Sequence, residues 1–487
     1  MLELLKKENR ITYTENGAKT YNTTESYCLD LFFRAGAMRN ASVKDIAEAV
    51  ICAFIENPEK TMKIVFFTRD IRGGLGERRF FRIAMRTLAD YCADAVLRNI
   101  PYIAEYGRFD DLCCLIGTLC EKSAVEEIRR QLNEDINSYK NGGKVSLLAK
   151  WLPSVNASSA QTRITAKKLV KLLGMTEKDY RQTLSELRRY TDIIENRLRV
   201  SDYTFDYEKQ PSCAMMKYRR AFIRNDGIRY TEYLRAVDRG EAKLNTSILY
   251  PYEIVRRCLD AKLSKAERLS LDTTWRNLPD FGNNTENAIA VVDGSGSMTC
   301  GRGIRPIDAA LSLGIYFAQH NKGKFANHFI TFSKHPRLIE IKGKNIVDQV
   351  QFCNTFNEVA NTDIEAVFDL ILRTAVKNKV SADEMPAKLY IISDMEFDYC
   401  GNRQWTFYDK MKAKFARYGY EIPTIVFWNV DSRNDVFHAD KNRKGVILVS
   451  GQSAGTFKNL IGAIGMSPMD FVMQVVNAKR YEPITIG

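Results

Sequence analysis

Residues 288–298 read Ala288-Ile289-Ala290-Val291-Val292-Asp293-Gly294-Ser295-Gly296-Ser297-Met298. The first five residues are small or branched and apolar, which is typical of a parallel strand that is covered on both faces. The run ends at an aspartate, and glycines interleaved with serines follow it. Because helical periodicity resumes over residues 307–319, this turn lies at the carboxyl end of a strand and leads to a helix. Open α/β sheets bind their ligands at such positions.

The residue types of this turn indicate a site for a hard cation. Asp293 offers a carboxylate, and Ser295 and Ser297 offer neutral oxygens two and four residues later. Oxygen ligands that include few carboxylates suit Mg²⁺, which keeps several of its waters, and Mn²⁺ accepts the same donors. The sequence therefore predicts that Mg²⁺ (or Mn²⁺) binds at this turn.

The rest of the last 200 residues alternates between apolar runs and helical periodicity. Strands are expected at residues 288–292, 329–332, 337–341, 388–393, 424–429 and 446–450. Such alternation is typical of a doubly wound α/β sheet, here of about six strands. We assign this Rossmann-like domain to residues 281–487.

Residues 1–280 have a different pattern, with one amphipathic helix after another beyond a polar opening arm. Helices are expected at residues 43–55, 77–88, 110–120, 124–136, 161–173, 178–198, 213–224, 230–237, 252–259 and 264–278. Short connections between such helices favour stacked antiparallel pairs, as in an α-solenoid. We expect an all-α helical-repeat domain over residues 1–280, although the absence of a strict sequence period leaves the number of repeats open.

The composition is that of an ordinary soluble protein, and its 487 residues are enough for two to four domains. No stretch approaches the roughly 18 apolar residues of a membrane span, and the apolar run at the start is too short for a signal peptide. The 11 cysteines form no CxxC pair. We therefore expect a cytoplasmic protein with reduced thiols and with neither membrane association nor a zinc site.

Positive charge is concentrated in the first part of the chain. The net charge is +13 overall, and residues 141–220 alone hold 16 basic and 8 acidic side chains. A concentrated positive field attracts polyanions. A basic surface that has no specific partner explains the charge equally well.

A glycine-rich turn over residues 69–79 places arginines around glycines at the start of a helix. Free helical N–H groups and guanidinium groups bind phosphate, and glycines let an anion approach the backbone. A flexible turn with Arg–Asp pairs is the simpler interpretation of this segment by itself. The segment is not a Walker loop, because no Gly-Lys-Ser/Thr follows.

A basic and aromatic stretch comes later in the helical region. Its members are Lys167, Lys168, Lys171, Arg181, Arg188, Arg189 and Tyr190, followed by Lys217, Tyr218, Arg219, Arg220 and Arg224. Arginine and tyrosine together can bind phosphates and stack on exposed bases. A solvated helix face explains each cluster singly, but their accumulation favours a polyanion surface.

Two further segments make the cation site resemble that of von Willebrand factor A domains. Thr362 stands in a Thr-Asp turn before a helix, and Asp394 ends a second apolar strand. An Asp-x-Ser-x-Ser loop, this threonine and this aspartate follow in the order of the metal-ion-dependent adhesion site of that family. The resemblance implies that Asp293, Ser295, Ser297, Thr362 and Asp394 surround the ion. It also implies an open position that a carboxylate of a protein partner, or a phosphate, can fill.

An enzymatic role is not expected. A phosphoryl-accepting aspartate would need a second aspartate two residues later, where Ser295 stands. The four histidines have no serine or cysteine motif around them, and residues 294–298 do not form a Gly-x-Ser-x-Gly elbow.

A basic helical-repeat half that precedes such a domain resembles the Ro/TROVE RNA-binding proteins. The chain is more similar to domain-of-unknown-function family 2828, through Arg69-Asp70-Ile71-Arg72-Gly73-Gly74, Tyr106-Gly107-Arg108-Phe109-Asp110-Asp111, Lys150-Trp151-Leu152-Pro153 and Ile392-Ser393-Asp394-Met395. The resemblance to Ro implies HEAT-like repeats that can close into a ring. It also implies binding of single-stranded RNA ends or small structured RNA.

The first hypothesis is therefore a non-enzymatic, monomeric RNA-binding protein of Ro/TROVE type that acts as a ribonucleoprotein scaffold. Its predicted phosphate contacts are Arg72, Arg78, Arg79, Lys167, Lys168, Arg219 and Arg220. The alternative is a metal-dependent protein–protein adaptor that does not bind nucleic acid.

Overall fold

The structure is a computed structural model that describes residues 1, 8–281, 286–300, 303–357, 362–398 and 407–486. Over these residues the α-helices are, in chain order, α1 (Tyr27–Ala35), α2 (Val43–Glu56), α3 (Pro58–Arg69), α4 (Arg78–Tyr91), α5 (Ala93–Asn99), α6 (Ile103–Tyr106), α7 (Glu121–Lys140), α8 (Leu148–Trp151), α9 (Ala160–Leu173), α10 (Glu177–Tyr190), α11 (Ile194–Arg199), α12 (Ser212–Asn225), α13 (Gly227–Asp238), α14 (Pro251–Cys258), α15 (Lys265–Arg276), α16 (Pro306–His320), α17 (Ile346–Asn354), α18 (Ile364–Asn378), α19 (Phe407–Ala416), α20 (Thr456–Leu460) and α21 (Pro468–Val476). The strands are β1 (Ile11–Tyr13), β2 (Lys19–Tyr21), β3 (Ala288–Asp293), β4 (His328–Phe332), β5 (Leu338–Glu340), β6 (Lys388–Ser393), β7 (Thr424–Asn429) and β8 (Val446–Ser450).

The chain folds into two compact units, each made of separate segments. The sheet unit comprises residues 1–42 and 234–478, and the helical unit comprises residues 43–233 and 479–487. Residues 1–42 and 234–280, which the sequence analysis placed in the helical domain, thus group with the sheet. The predicted sequence boundary near residue 280 remains a prediction.

The sheet unit is built on a mixed sheet of six strands in the order β5-β4-β3-β6-β7-β8. All neighbouring strands are parallel except β5, which pairs antiparallel with β4. Strands β3, β6, β7 and β8 are buried along their whole length, as their continuous apolar runs predict. The predicted helical first region and the predicted six-stranded sheet are confirmed.

The register of the two central strands positions the candidate site. Strand β3 pairs with β6 so that Val292 lies opposite Ile392. Because parallel strands end at the same edge of a sheet, Asp293 and Ser393 become neighbours at the carboxyl edge.

The polar opening arm is more ordered than its composition suggests. Strands β1 and β2 form an antiparallel hairpin, and Tyr21 exchanges backbone hydrogen bonds with Phe437 at 3.0 and 2.9 Å. Helix α1 then packs against β8, where the Ser450 hydroxyl donates to the carbonyl of Phe32 at 3.1 Å. These contacts explain why the first 42 residues belong to the sheet unit.

Helices α3 and α5 of the helical unit were not predicted, and two of its predicted helices differ in the structure. The expected helix over residues 178–198 is interrupted between α10 and α11, where Asp192 adopts a left-handed conformation with φ of 47° and binds Arg197. The expected helix over residues 110–120 is a 3₁₀ segment, Phe109–Leu115. Its Asp110 and Asp111 side chains both pair with Arg82 of α4, which holds the backbone in the tighter turn.

The described helices bear on the expectation that no segment spans a membrane. Among them, none combines the length and the apolar character that crossing a bilayer requires.

Candidate functional site

The carboxylates of Asp293 and Asp394 lie at the ends of the two central strands. Asp293 accepts a hydrogen bond from the Ser393 hydroxyl at 2.6 Å, and its other oxygen accepts the backbone N–H of Ser295 at 2.9 Å. Asp394 follows Ser393 directly, and both aspartates are buried. The two strand-terminal aspartates of the prediction are therefore close together.

The serine turn completes this side of the site. The hydroxyl oxygens of Ser295 and Ser297 are 3.1 Å apart. A Cβ at Gly294 would lie 3.0 Å from both Cα and Oδ1 of Asn357, so a side chain there would press on the neighbouring loop. The glycine thus lets the turn pass close to Asn357.

Thr362 reaches the same region through the loop that follows β6. Its hydroxyl donates to the carbonyl of Glu396 at 3.1 Å, and its own carbonyl accepts the backbone N–H of Asp398 at 3.0 Å. Asn361, which precedes it in the predicted turn, lies outside the described residues. The structure hence brings the segments of all five predicted ligands to the carboxyl edge of the sheet.

The electrostatics of the two aspartates fit a cation. Burial raises the pKa of Asp293 to about 7, and the negative charge of Asp394 contributes to the same shift. A dication between the two carboxylates would remove their mutual repulsion. The donor set consists of oxygens alone, as Mg²⁺ prefers. Within the described ranges, no group of three or more His, Cys, Asp or Glu side chains could hold a metal ion.

An arginine and a glutamate that were not predicted also belong to this region. Arg433 donates to Asp394 at 2.7 Å, and its other terminal nitrogen lies 3.3 Å from Glu15 in the turn between β1 and β2. Asn434 donates to both Glu15 and Glu396 at 2.9 Å. The N-terminal hairpin is thereby tied to the loop that carries Asp394.

A buried histidine supports the same loop from below. The ring of His438 stacks on Phe397, with centroids 4.4 Å apart, and its Nε2 lies 3.1 Å from the carbonyl of Met395. Burial lowers the pKa of His438 to about 4. The ring is therefore neutral at physiological pH and can donate its Nε2–H to Met395.

The predicted phosphate contacts of the helical unit do not all lie on its surface. The exposed ones are Arg72, Arg78, Arg79, Lys167, Lys168 and Arg220. Arg72 also donates to the carbonyl of Glu105 at 2.9 Å, and Lys168 lies 3.0 Å from Glu121. Lys167 is 3.6 Å from Glu177, so these lysines are exposed but weakly paired.

The prediction for Arg219 is wrong. Its side chain is only 3% exposed, and it donates to the carbonyl of Met216 at 2.9 Å inside α12. A guanidinium in that position does not face solvent, so it is not available to a phosphate on the surface.

Sequence analysis also missed a group of side chains around α4. Arg82 and Arg108 both pair with Asp110, and the Arg108 guanidinium lies 4.0 Å over the ring of Trp151. The available signal was the four-residue spacing of Arg78, Arg82 and Arg86, which places them on one face of a helix.

Comparison with known proteins places the chain in a family. Residues 14–141 and 126–280 match the family described as Domain of unknown function (DUF2828). The chain belongs to the DUF2828 family. Residues 287–480 match a second description, Domain of unknown function (DUF7788). The resemblance to DUF2828 inferred from the sequence motifs is thus confirmed for residues 14–280, whereas the motif Ile392-Ser393-Asp394-Met395 lies within the DUF7788 match.

Two individual proteins are similar to this DUF2828 chain. "Uncharacterized protein L728" of Acanthamoeba polyphaga mimivirus is 29% identical over 518 residues, which cover 98% of this chain and 89% of that protein. The chain is also similar to the crystal structure of the Deinococcus radiodurans RO (RSR) protein. That match covers 93% of this chain and 99% of the RO chain, with 12% sequence identity and a TM-score of 0.35.

The motifs that carried the resemblance to DUF2828 form internal contacts in the helical unit. Arg69 binds the fully buried Asp111 at 2.7 Å, and Asp70 accepts from Arg480 at 2.8 Å and from Tyr481 at 3.1 Å. For Arg69 and Asp70 the interpretation as Arg–Asp pairs in a turn is therefore the correct one.

Proposed function

We propose that the chain is a non-enzymatic RNA-binding protein whose helical unit, built of HEAT-like repeats, supplies the RNA-binding surface. The observation that carries this proposal is the charge of that unit. It holds 35 Lys and Arg against 27 Asp and Glu, and six of the seven predicted phosphate contacts are exposed. Because phosphate charges dominate the affinity of nucleic acids for proteins, such a surface favours a polyanion.

Exposed aromatic rings favour RNA with unpaired bases over a uniform polyanion. Tyr139 on α7 and Tyr190 on α10 pack edge to face with centroids 5.1 Å apart, and they are 36% and 39% exposed. Single-stranded RNA is bound mainly by stacking of its unpaired bases on such rings. We therefore propose single-stranded RNA ends or small structured RNA as the partner.

The sheet unit has a separate role in this proposal. We propose a von Willebrand A-type domain that binds Mg²⁺ (or Mn²⁺) through Asp293, Ser295, Ser297, Thr362 and Asp394. The bound ion would supply positive charge for a partner carboxylate, while the protein oxygens hold the ion at the edge of the sheet. The two buried carboxylates at the sheet edge support this assignment.

The two buried carboxylates at the sheet edge also favour a second candidate function, a metal-dependent protein adaptor that does not bind nucleic acid. In that case the positive charge of the helical unit only maintains solubility. The two candidates differ in one measurable property, which is whether the chain binds RNA.

The test is fluorescence anisotropy of the full chain with labelled single-stranded and hairpin RNAs over a series of KCl concentrations. We expect the logarithm of the association constant to fall linearly with the logarithm of the salt concentration, because counterions are released on binding. Binding that is absent at low salt, or independent of salt, would contradict the RNA-binding proposal.

Charge-reversal variants test whether the proposed RNA-binding surface lies on the helical unit. Lys167→Glu combined with Lys168→Glu should weaken binding at every salt concentration. The matched control is Lys334→Glu combined with Lys344→Glu, which makes the same charge change at exposed positions of the sheet unit. Asp394→Asn should leave RNA binding unchanged and remove cation-dependent partner capture.

A further inference from the structure

Helix α4 presents three arginines along one face. Arg78, Arg82 and Arg86 are spaced four residues apart, so their side chains follow one another along the helix surface. Arg86 donates to the carbonyls of Cys114 and Ile116 at 3.1 and 3.0 Å. The row spans about 12 Å at the rise of an α-helix, which is longer than a single phosphate group.

The carboxylates beside this row are already fully engaged. Both oxygens of Asp111 are occupied, one by Arg69 at 2.7 Å and the other by Arg82 at 2.6 Å. Asp110 accepts from Arg82 at 2.6 Å and from Arg108 at 2.9 and 3.0 Å. Two carboxylates thus face three guanidiniums, which leaves a positive excess before Arg78 is counted.

Arg78 increases this excess. In the part of the chain that the structure describes, it makes neither a hydrogen bond nor an ion pair, and it is exposed at the first position of α4. Partial burial lowers the pKa of its guanidinium, and the like charges of Arg108 and Arg82 lower this pKa further. Arg78 lies one helical turn from Arg82, and Arg82 shares Asp110 with Arg108, so the three guanidiniums are neighbours. An anion bound among them would relieve their mutual repulsion.

The N–H groups of the cluster that make no hydrogen bond are held in fixed positions. Arg108 uses Nε and Nη2 on Asp110, and its plane is fixed by Trp151. Arg82 likewise uses Nε and Nη2, so an Nη1 group remains on each of these side chains. Rigid guanidinium forks of this kind match the several acceptor oxygens of a phosphate.

We propose that Arg78, Arg82 and Arg108 form a phosphate-binding subsite for the RNA backbone, with Asp110 and Trp151 as positioning residues. This inference rests on the proposed RNA-binding function. RNA is favoured over a ligand with one phosphate because the positive row continues beyond the cluster. Lys168 Nζ and Arg86 Nη2 both approach Gly117: they lie 3.2 and 3.5 Å from the point that a Cβ on this glycine would occupy. Lys168 therefore extends the row at Arg86. A continuous polyanion can use the whole row.

The experiment measures RNA affinity of the full chain as a function of KCl concentration for a set of variants. Arg78→Ala should reduce the magnitude of the salt slope by about 0.7 and weaken binding about fivefold near 0.1 M salt, as loss of one single-strand phosphate contact requires. Arg78→Lys should keep the slope and lose part of the affinity, because the charge remains and the fork is lost. Arg98→Ala removes an exposed arginine of α5 and is the matched control, with an unchanged slope.

Trp151 is tested by rescue. Trp151→Leu should reduce the salt slope because Arg108 loses its platform, and Trp151→Phe should restore it because an aromatic face remains. Circular dichroism of each variant separates this effect from unfolding. Equal slopes for the leucine and phenylalanine variants would remove Trp151 from the positioning role.

The outcomes separate this inference from the function on which it rests. If the wild-type protein binds RNA and Arg78→Ala matches it in affinity and slope, the subsite is refuted and the function stands. If the wild-type protein binds no RNA at low salt, both are refuted. A third arm replaces RNA with an acidic phosphoserine peptide. Tight binding of that peptide that depends on Arg78, without RNA binding, would also overturn the assignment to RNA.

Discussion

His438 should make the stability of the sheet unit depend on pH. Its ring is buried between Phe397 and Phe427, and burial lowers its pKa to about 4 from 6.5. Between these two pH values the unfolded chain binds a proton that the folded chain excludes. Stability is therefore complete above about pH 6.5, falls as the pH decreases towards about 4, and loses nothing further below that.

The size of the effect follows from the two pKa values. A difference of about 2.5 pKa units corresponds to about 3 kcal/mol of unfolding free energy at the low-pH limit. The loss relative to neutral pH should be about 0.8 kcal/mol at pH 6 and about 2 kcal/mol at pH 5. Gln is a suitable replacement, because its amide can still donate to the carbonyl of Met395 and it does not titrate.

The assay is urea unfolding of the full chain in EDTA at several pH values, followed by circular dichroism and tryptophan fluorescence in parallel. Other groups titrate in this range, and Asp30 does so with the opposite sign, since burial raises its pKa to about 6 and favours the folded state at low pH. Only the difference between wild-type protein and His438→Gln isolates the histidine.

We expect the stability advantage of the wild-type protein over His438→Gln to shrink by about 2 kcal/mol from pH 8 to pH 5. His335→Gln, which replaces an exposed histidine, controls for removal of a histidine in general. An advantage that stays constant over this pH range would refute the reasoning, because it would mean that the buried ring accepts a proton as readily as the unfolded one.

Three further predictions concern buried charge, backbone contact and the cation. Asp111→Asn should cost about 3–5 kcal/mol of unfolding free energy, measured by urea titration, because it leaves buried guanidinium charge uncompensated. Gly74→Ala should cost about 3 kcal/mol or more in the same measurement, since its Cβ would lie 1.9 Å from the carbonyl oxygen of Phe67. Gly227→Ala, which meets nothing within 4 Å, should be neutral or stabilising. Mg²⁺ at 100-fold its dissociation constant should stabilise the wild-type protein by about 2.7 kcal/mol in a thermal scan, and it should not stabilise Asp394→Asn.

The two aspartates at the carboxyl edge of the sheet could be predicted because each is marked by a short, continuous stretch of sequence. An apolar run that ends in an aspartate predicts where a buried strand stops, and parallel strands bring their carboxyl ends together. The hydrogen bond of 2.6 Å between Ser393 and Asp293 follows from this rule. Glu15 and Arg433 could not be found in the same way. They are far apart in sequence, and only the docking of the N-terminal hairpin brings them together.

The errors in the helical unit have two different causes. Arg219 stands four residues after Met215 and three before Phe222, so its position on the apolar face of α12 was available from the helical spacing. The charge of Arg219 indicated a phosphate contact, whereas that spacing indicated burial. The break at Asp192 carried a weaker signal, because neither glycine nor proline marks it. Aspartate tolerates the left-handed conformation, and Asp192 also pairs with Arg197.

The two candidate sites carry opposite charge, and this difference makes them separable in one protein. In the part of the chain that the structure describes, Asp394 pairs with Arg433, whereas Arg78 belongs to a cluster with more arginines than carboxylates. Added Mg²⁺ should therefore have two effects of opposite sign. It should stabilise the sheet unit through its aspartates, and it should weaken RNA binding as a competing counterion. Asp394→Asn should remove the first effect and keep the second, whereas Arg78→Ala should reduce the second and keep the first. A variant at one site that altered both effects would show that the sites are energetically coupled, because independent sites contribute additively.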